Sequence, residues 1–156
     1  MVALLCARGH YDAALQREPM TLPPPASSAA RRRIMLVDDN VDGADTLARL
    51  LGAHGHEVRV FHEPIAALAA VRAFRPDLAV LDIGLPVLDG YELARRMRTL
   101  LDGHPCRMVA LTGYGQEADK ARSGQAGFER HLVKPVNPDL VVDLASGPGR
   151  DGPVPG

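Results

Sequence analysis

The sequence predicts an α/β chain in which five short parallel strands alternate with helices, doubly wound over both faces of one sheet. Three observations lead there. Short apolar runs recur at a steady interval, with starts near residues 34, 57, 78, 108 and 131. The stretches between them are long enough for the helical crossover that joins parallel strands. Most of these runs also end in an ionisable or hydroxyl residue, as expected where buried strands leave the core along a common edge. Crossovers of this type are right-handed and cover both faces of the sheet.

Composition narrows the function classes. The 156 residues, 46% apolar, suffice for one domain with a real core. A formal net charge of −1 argues against general nucleic-acid attraction and against a role at a membrane surface. Aromatic residues make up 4% and Trp is absent, so there is no base-stacking platform. Cys6 and Cys106 lie far apart and make neither a disulfide framework nor a metal-ligand spacing. Both read as small, buried or half-buried thiols. No run reaches the length of a membrane span, and Met1–Cys6 is too short for a signal segment. The expected compartment is the cytoplasm.

Taken in order, residues 1–30 read as an N-terminal extension and linker. Met1 to Gln16 has the apolar positions of a short helix, Pro19 and Pro23-Pro24-Pro25 break it, and small residues follow. Arg31-Arg32-Arg33 reads as a solvated flank, and the folded domain as residues 31–146. Ile34–Val37 is the first strand, ending in Asp38-Asp39. Asp42 reads as the cap of the first helix, with Ala44, Leu47, Ala48 and Leu51 on one face, and Gly52 and Gly55 end it. Val58 and Val60 alternate with polar partners in a second strand, Glu57–Phe61. Pro64 opens the second helix, Ile65, Leu68, Ala69 and Val71 form its apolar side, and Pro76 closes it.

Leu78–Leu81 is an unbroken apolar run, suited to a strand buried on both faces, and it leads straight into Asp82. Gly84 and Pro86 force a loop that Asp89-Gly90 closes. The third helix runs from about Tyr91, with Leu93, Ala94, Met97, Leu100 and Leu101 inward and Arg95, Arg96 and Arg98 outward. Met108–Leu111 is the fourth strand, ending at Thr112-Gly113, and Gln116–Ala126 a weaker, more polar helix. His131–Val133 is the fifth strand, ending at Lys134-Pro135. Pro138, Leu140, Val141 and Leu144 begin a last helix that Gly147-Pro148-Gly149 stops after about two turns, and residues 147–156 read as a frayed tail.

A parallel sheet brings the strand ends together, so Asp38, Asp39, Asp82, Thr112 and Lys134 should share one edge. Three carboxylates in a half-buried crevice repel one another, so some hold protons or a cation sits among them. Hard oxygen donors with open water positions suit Mg²⁺, which commonly bridges to a phosphoryl oxygen. Lys134 supplies a compact charge and Thr112 a hydroxyl for further phosphoryl oxygens. Together they suit neutralising and orienting a phosphoryl group in transit. The chain has sixteen Arg and two Lys. A Lys at a strand end therefore points to a need for a rotatable ammonium rather than a planar fork. His10, His54, His56, His62 and His104 form no metal-ligand pair and read as surface residues.

Four motifs carry a resemblance: VDDN at 37–40, LDIGLPVLDGYELARRMR at 81–98, ALTGYG at 110–115 and HLVKPV at 131–136. In this order and spacing, the segment from about Arg33 to Ala145 resembles a two-component response-regulator receiver domain of the CheY-like kind. The resemblance implies a flavodoxin-like fold with strand order 2-1-3-4-5. It implies that Asp82 is the phosphoacceptor, taking its phosphoryl group from a phosphohistidine. Mg²⁺ would be held by Asp39 directly, by Asp38 largely through water, and by Asp82 and the backbone carbonyl of Gly84. Lys134 would contact the phosphoryl group, and the Thr112 hydroxyl would swing toward it. His131 stands where the family has a rotating Tyr or Phe. Gly84 and Tyr114 occupy positions that tune phosphoryl lifetime.

The implied partners are a sensor histidine kinase or phosphotransfer protein and a downstream protein, with a phosphorylation-dependent dimer as a further form of output. Neither nucleic acid nor membrane is an expected contact. The chain would be a switch that assists its own phosphorylation and dephosphorylation rather than an enzyme. The motifs at 81–98 and 110–115 also resemble receivers fused behind hybrid sensor kinases. Two other readings compete. A receiver-like scaffold acting without phosphorylation has no need of Asp39, Asp82, Thr112 and Lys134 together. A haloacid-dehalogenase-type phosphohydrolase places Asp-x-Asp after its first strand, and Asp38-Asp39-Asn40 breaks that spacing.

Overall fold

The computed structural model describes residues 30–113 and 120–147, leaving aside the side chains of Lys120 and Ser123. Five strands and five helices alternate: β1 (Arg33–Val37), α1 (Val41–Ala53), β2 (Glu57–Phe61), α2 (Pro64–Phe74), β3 (Leu78–Asp82), α3 (Gly90–Leu101), β4 (Arg107–Thr112), α4 (Lys120–Ala126), β5 (Arg130–Val133) and α5 (Pro138–Ser146). All strand pairs are parallel and the sheet order is β2-β1-β3-β4-β5. The chain steps outward from β1 to β2, then returns past β1 to β3. The reversal opens a crevice beyond the carboxyl ends of β1 and β3, the usual ligand position in such sheets.

Strand alternation divides the core into two layers. Met35, Val37, Ala79, Leu81 and Met108 face α2 and α3. Ile34, Leu36, Leu78, Val80, Val109 and Leu111 face α1 and α5. Every residue of β3 is buried, which accounts for its unbroken apolar run.

Several expectations are corrected locally. Asn40, not Asp42, caps α1, its side chain accepting from the Gly43 amide at 3.2 Å. Asp42 lies within the first turn, where a carboxylate still suits the positive end of the helix. The buried stripe of α2 is Pro64, Ala67, Val71 and Phe74, while Ile65 is 54% exposed and Ala69 is exposed. In so alanine-rich a helix the one large ring, Phe74, decides which face turns inward. Arg59 then covers that ring, 4.5 Å from its centroid.

His56 is buried rather than a surface residue, its Nδ1 accepting from the Arg32 amide at 3.3 Å. Arg32 is more than a solvated flank, since its guanidinium donates to the Gly147 carbonyl at 2.7 Å. Arg98 stays exposed, as read, but is not free of the fold. It donates to the carbonyls of Ala126 at 3.1 Å and Gly127 at 2.6 Å, tying α3 to the end of α4. The last helix is short, as read, and Val133 on the outer strand β5 stays 57% exposed. Cys106 is buried, and burial pushes its thiol up to about 12. The extension 1–29, with Cys6 and His10, lies outside the described residues. So do Tyr114, the expected helix start at Gln116, and residues 148–156. Among the described residues, no helix is long and apolar enough to cross a membrane.

Candidate functional site: an acidic pocket bridged by a lysine

The site is built from strand ends. Asp38 follows β1, and its backbone amide donates to Phe61 on β2 at 3.1 Å. Its side chain turns back to accept from the Asn40 amide at 2.9 Å. Asp82 is the last residue of β3, and its Oδ1 accepts from the Gly84 amide at 2.9 Å. The loop that follows is pinned by the Gly90 amide donating to Ile83 at 3.1 Å. Only glycine fits at 90, because a Cβ there would stand 2.5 Å from the Asp82 carbonyl oxygen. Asp89 caps α3, accepting from Glu92 at 2.9 Å.

Asp38, Asp39 and Asp82 each offer a carboxylate oxygen within 4.8 Å of the others. Asp38 and Asp82 are buried, whereas Asp39 is exposed at the mouth. Lys134 reaches in from the end of β5. Its Nζ stands 3.0 Å from Asp38 Oδ2 and 3.0 Å from Asp82 Oδ2. Its backbone amide donates to the Thr112 carbonyl at 2.7 Å, which fixes where the side chain starts. Thr112 is buried, and its hydroxyl faces the Leu132 carbonyl at 3.5 Å, too long for a strong bond. A crevice of about 600 Å³ opens beside Asp38 and Lys134.

The electrostatics follow from burial. Loss of water pushes the Asp38 carboxyl above its ordinary value, the Asn40 amide and Lys134 pull it back, and the Asp82 charge adds to the rise. Burial works against the Lys134 ammonium, but its hydrogen bonds to Asp38 and Asp82 outweigh that and raise its pKa. The resting pocket therefore holds a charged lysine between two buried carboxylates.

Five of the sequence-derived residues thus come together: Asp38, Asp39, Asp82, Thr112 and Lys134. Gly84 lies at the exposed rim with its amide on Asp82. His131 is half-buried on β5 and packs edge-on against Phe128, ring centroids 5.7 Å apart, and Phe128 does the same to Tyr91 at 5.8 Å. Burial lowers the His131 pKa. One neighbour escaped the sequence reading. His62, just beyond β2, places Nδ1 2.9 Å from the Asp38 carbonyl oxygen and buttresses that loop. The available signal was its place at a strand end.

The donor set suits a hard divalent cation. All three carboxylates offer oxygen, and Lys134 meets a demand for positive charge that the pocket creates. Asp39 is the carboxylate Lys134 is not bonded to and the one facing solvent.

Fold and site together define a class: a doubly wound parallel α/β domain with an acidic, lysine-bridged pocket at the carboxyl edge of its sheet. Residues 34–146 match the family model of the response regulator receiver domain, and the chain belongs to that family of two-component systems. An uncharacterised 14.6 kDa protein in the sodA1 3′ region of Leptolyngbya boryana is 37% identical over 111 residues, covering 71% of this chain and 85% of that protein. The transcriptional regulatory protein CreB of Escherichia coli is 35% identical over 106 residues, 67% of this chain. The chain spans under half the length of that regulator, 45%. Among solved structures, a CheY-like receiver domain protein from Methanospirillum hungatei aligns with TM-score 0.67 and 30% identity, over 74% of this chain and 90% of that one. A response regulator from Burkholderia pseudomallei with a phosphorylated aspartic acid, calcium ion and citrate aligns with TM-score 0.65 and 28% identity, over 72% and 65%.

Proposed function

We propose that this chain is a phosphoryl-accepting switch in which Asp82 takes a phosphoryl group from the phosphohistidine of a sensor kinase or phosphotransfer protein. The observation that carries the reading is Lys134 Nζ held 3.0 Å from both Asp38 and Asp82 at the carboxyl edge of the sheet. The similar regulator from Burkholderia pseudomallei, with its phosphorylated aspartic acid, supports it. In the transfer, an Asp82 carboxylate oxygen forms a bond to phosphorus while the P–N bond to imidazole breaks, its electron pair leaving with the ring. Lys134 stands ready to balance charge on the phosphoryl oxygens.

Asp39, Asp38, Asp82 and the Gly84 carbonyl would hold Mg²⁺, which when bound supplies the charge neutralisation that three carboxylates alone oppose. The long Thr112–Leu132 contact leaves the hydroxyl little to lose in turning toward the new group. Contacts from Thr112 and Lys134 available only in the phosphorylated state would shift the population of the α4–β5–α5 face. Residues 31–146 would form the switching unit, working in the cytoplasm, with a downstream protein or a second copy reading that face. Phosphoryl lifetime would be set at Gly84 and Tyr114.

The deciding experiment is intact mass after incubation with acetyl phosphate and Mg²⁺, with Asp82→Asn alongside. One added phosphoryl group, absent from the variant and abolished by chelating the metal, is the expected result. A folded protein that gains no adduct, and does not respond to beryllofluoride, would be a scaffold.

A further inference from the structure

Helix α4 packs against α3 and buries little of its described surface. Of its described side chains only Ala126 is buried. Among the described contacts, two arginines tie it to α3 and the loop before α3. At the C-terminal end, Arg98 of α3 donates to the carbonyls of Ala126 and Gly127. Gly127 permits this approach, since a Cβ there would stand 2.7 Å from Arg98 Nε. Nearer the start, Arg122 pairs with Asp89 Oδ2 at 2.6 Å while its guanidinium lies over the Tyr91 ring, 4.6 Å from the centroid. Asp89 spends its other oxygen capping α3 and ends the loop that begins just after Asp82.

With Arg98 holding the C-terminal end of α4, release of the Arg122–Asp89 pair would let the Arg122 end move about it. The segment joining Thr112 to α4 attaches at the Arg122 end. If Thr112 turns toward a phosphoryl group on Asp82, the pull arrives there, and the pivot is the Arg98 end. The Arg122–Asp89 pair therefore opposes the switch, because it is formed with the Thr112 hydroxyl turned toward Leu132.

We propose that Arg122 and Asp89 form a latch that holds α4 at rest and sets the threshold for switching. The inference rests on the phosphoacceptor reading of Asp82. By linkage, whatever stabilises the resting position weakens binding of any ligand that needs the switched one. Loss of the latch should tighten binding of a phosphoryl mimic, not loosen it.

The test is titration of the full chain with beryllofluoride at fixed Mg²⁺, combined with hydrogen exchange of residues 120–126. Arg122→Ala is expected to bind beryllofluoride roughly two- to tenfold more tightly, the range for an exposed ion pair reinforced by a cation–ring contact. It should also exchange faster in α4 without ligand. Asp89→Asn keeps a side-chain oxygen to cap α3 and should shift affinity in the same direction. The double variant should gain little beyond either single one. Unchanged or weaker binding by Arg122→Ala, or full additivity of the two, would overturn the latch while leaving the acceptor reading intact. A wild-type chain that binds no beryllofluoride at all would overturn the acceptor reading, and the latch with it.

Discussion

Asp38 carries charge at a cost, and that cost can be read as a pH dependence. Burial, partly offset by Asn40 and Lys134, lifts its carboxyl above the ordinary 3.8, so the folded chain holds this proton to higher pH than the unfolded one. The linked stability is present below the unfolded value and lost as pH rises through the folded one. Asp38→Asn should therefore raise the metal-free thermal midpoint at pH 7 by roughly 2–5 °C, with the gain vanishing toward pH 4. Parallel thermal scans at the two pH values check this. His131 runs the other way. Burial lowers its pKa, so stability is lost as pH falls from 6.5 through the depressed value. His131→Phe should remove that acid-side loss in the same scans. Lys134 satisfies the charge that a metal would otherwise neutralise. Lys134→Ala should bind Mg²⁺ more tightly than wild type, roughly three- to tenfold by calorimetry, while losing the phosphorylation-linked change in α4. At this scale the sequence was most informative about carboxylates, hydroxyl and lysine, because each terminates an apolar run. It said least about His56 and His62, whose surroundings come from other segments: Arg32 in one case, the Asp38 carbonyl in the other.

The elements were legible where periodicity was backed by large side chains. In α3 the stripe Leu93, Ala94, Met97 and Leu101 is the one that is buried. In α2, alanines at 66, 67, 69, 70 and 73 blur the stripe, and only packing around Phe74 resolves it. The α1 cap was displaced by two residues because Asn40 and Asp42 both suit the position, and the turn at Asp38 decides between them. Glycines test how elements meet. Gly90→Ala sets a methyl against the Asp82 carbonyl and the Ile83 Cα, both backbone, so neither can yield without moving the loop. A loss of about 1–3 kcal/mol is expected from urea unfolding, together with impaired phosphoryl acceptance at Asp82. Gly52→Ala, near the end of α1 with nothing within 4 Å of the added carbon, should instead gain up to about 1 kcal/mol.

Over the whole molecule, the interval between apolar runs was enough to predict alternating parallel strands and helices. It carried no information on their order across the sheet, because spacing fixes connection length and not which side of β1 the next strand takes. The order came from the resemblance and matches the structure. The division of the chain at about residues 30 and 147 is testable in the same terms. A chain shortened to 30–147 should keep the thermal midpoint of the full one within about 2 °C and accept phosphoryl groups from acetyl phosphate equally well. The bond from Arg32 to Gly147 has a wider consequence. It fastens the lead-in to the first strand against the exit of the last helix, so both ends of the fold leave the surface at one spot. A domain with that property is a cassette. It can be set between two segments of a longer polypeptide, like a bead on a doubled thread, without forcing those segments apart.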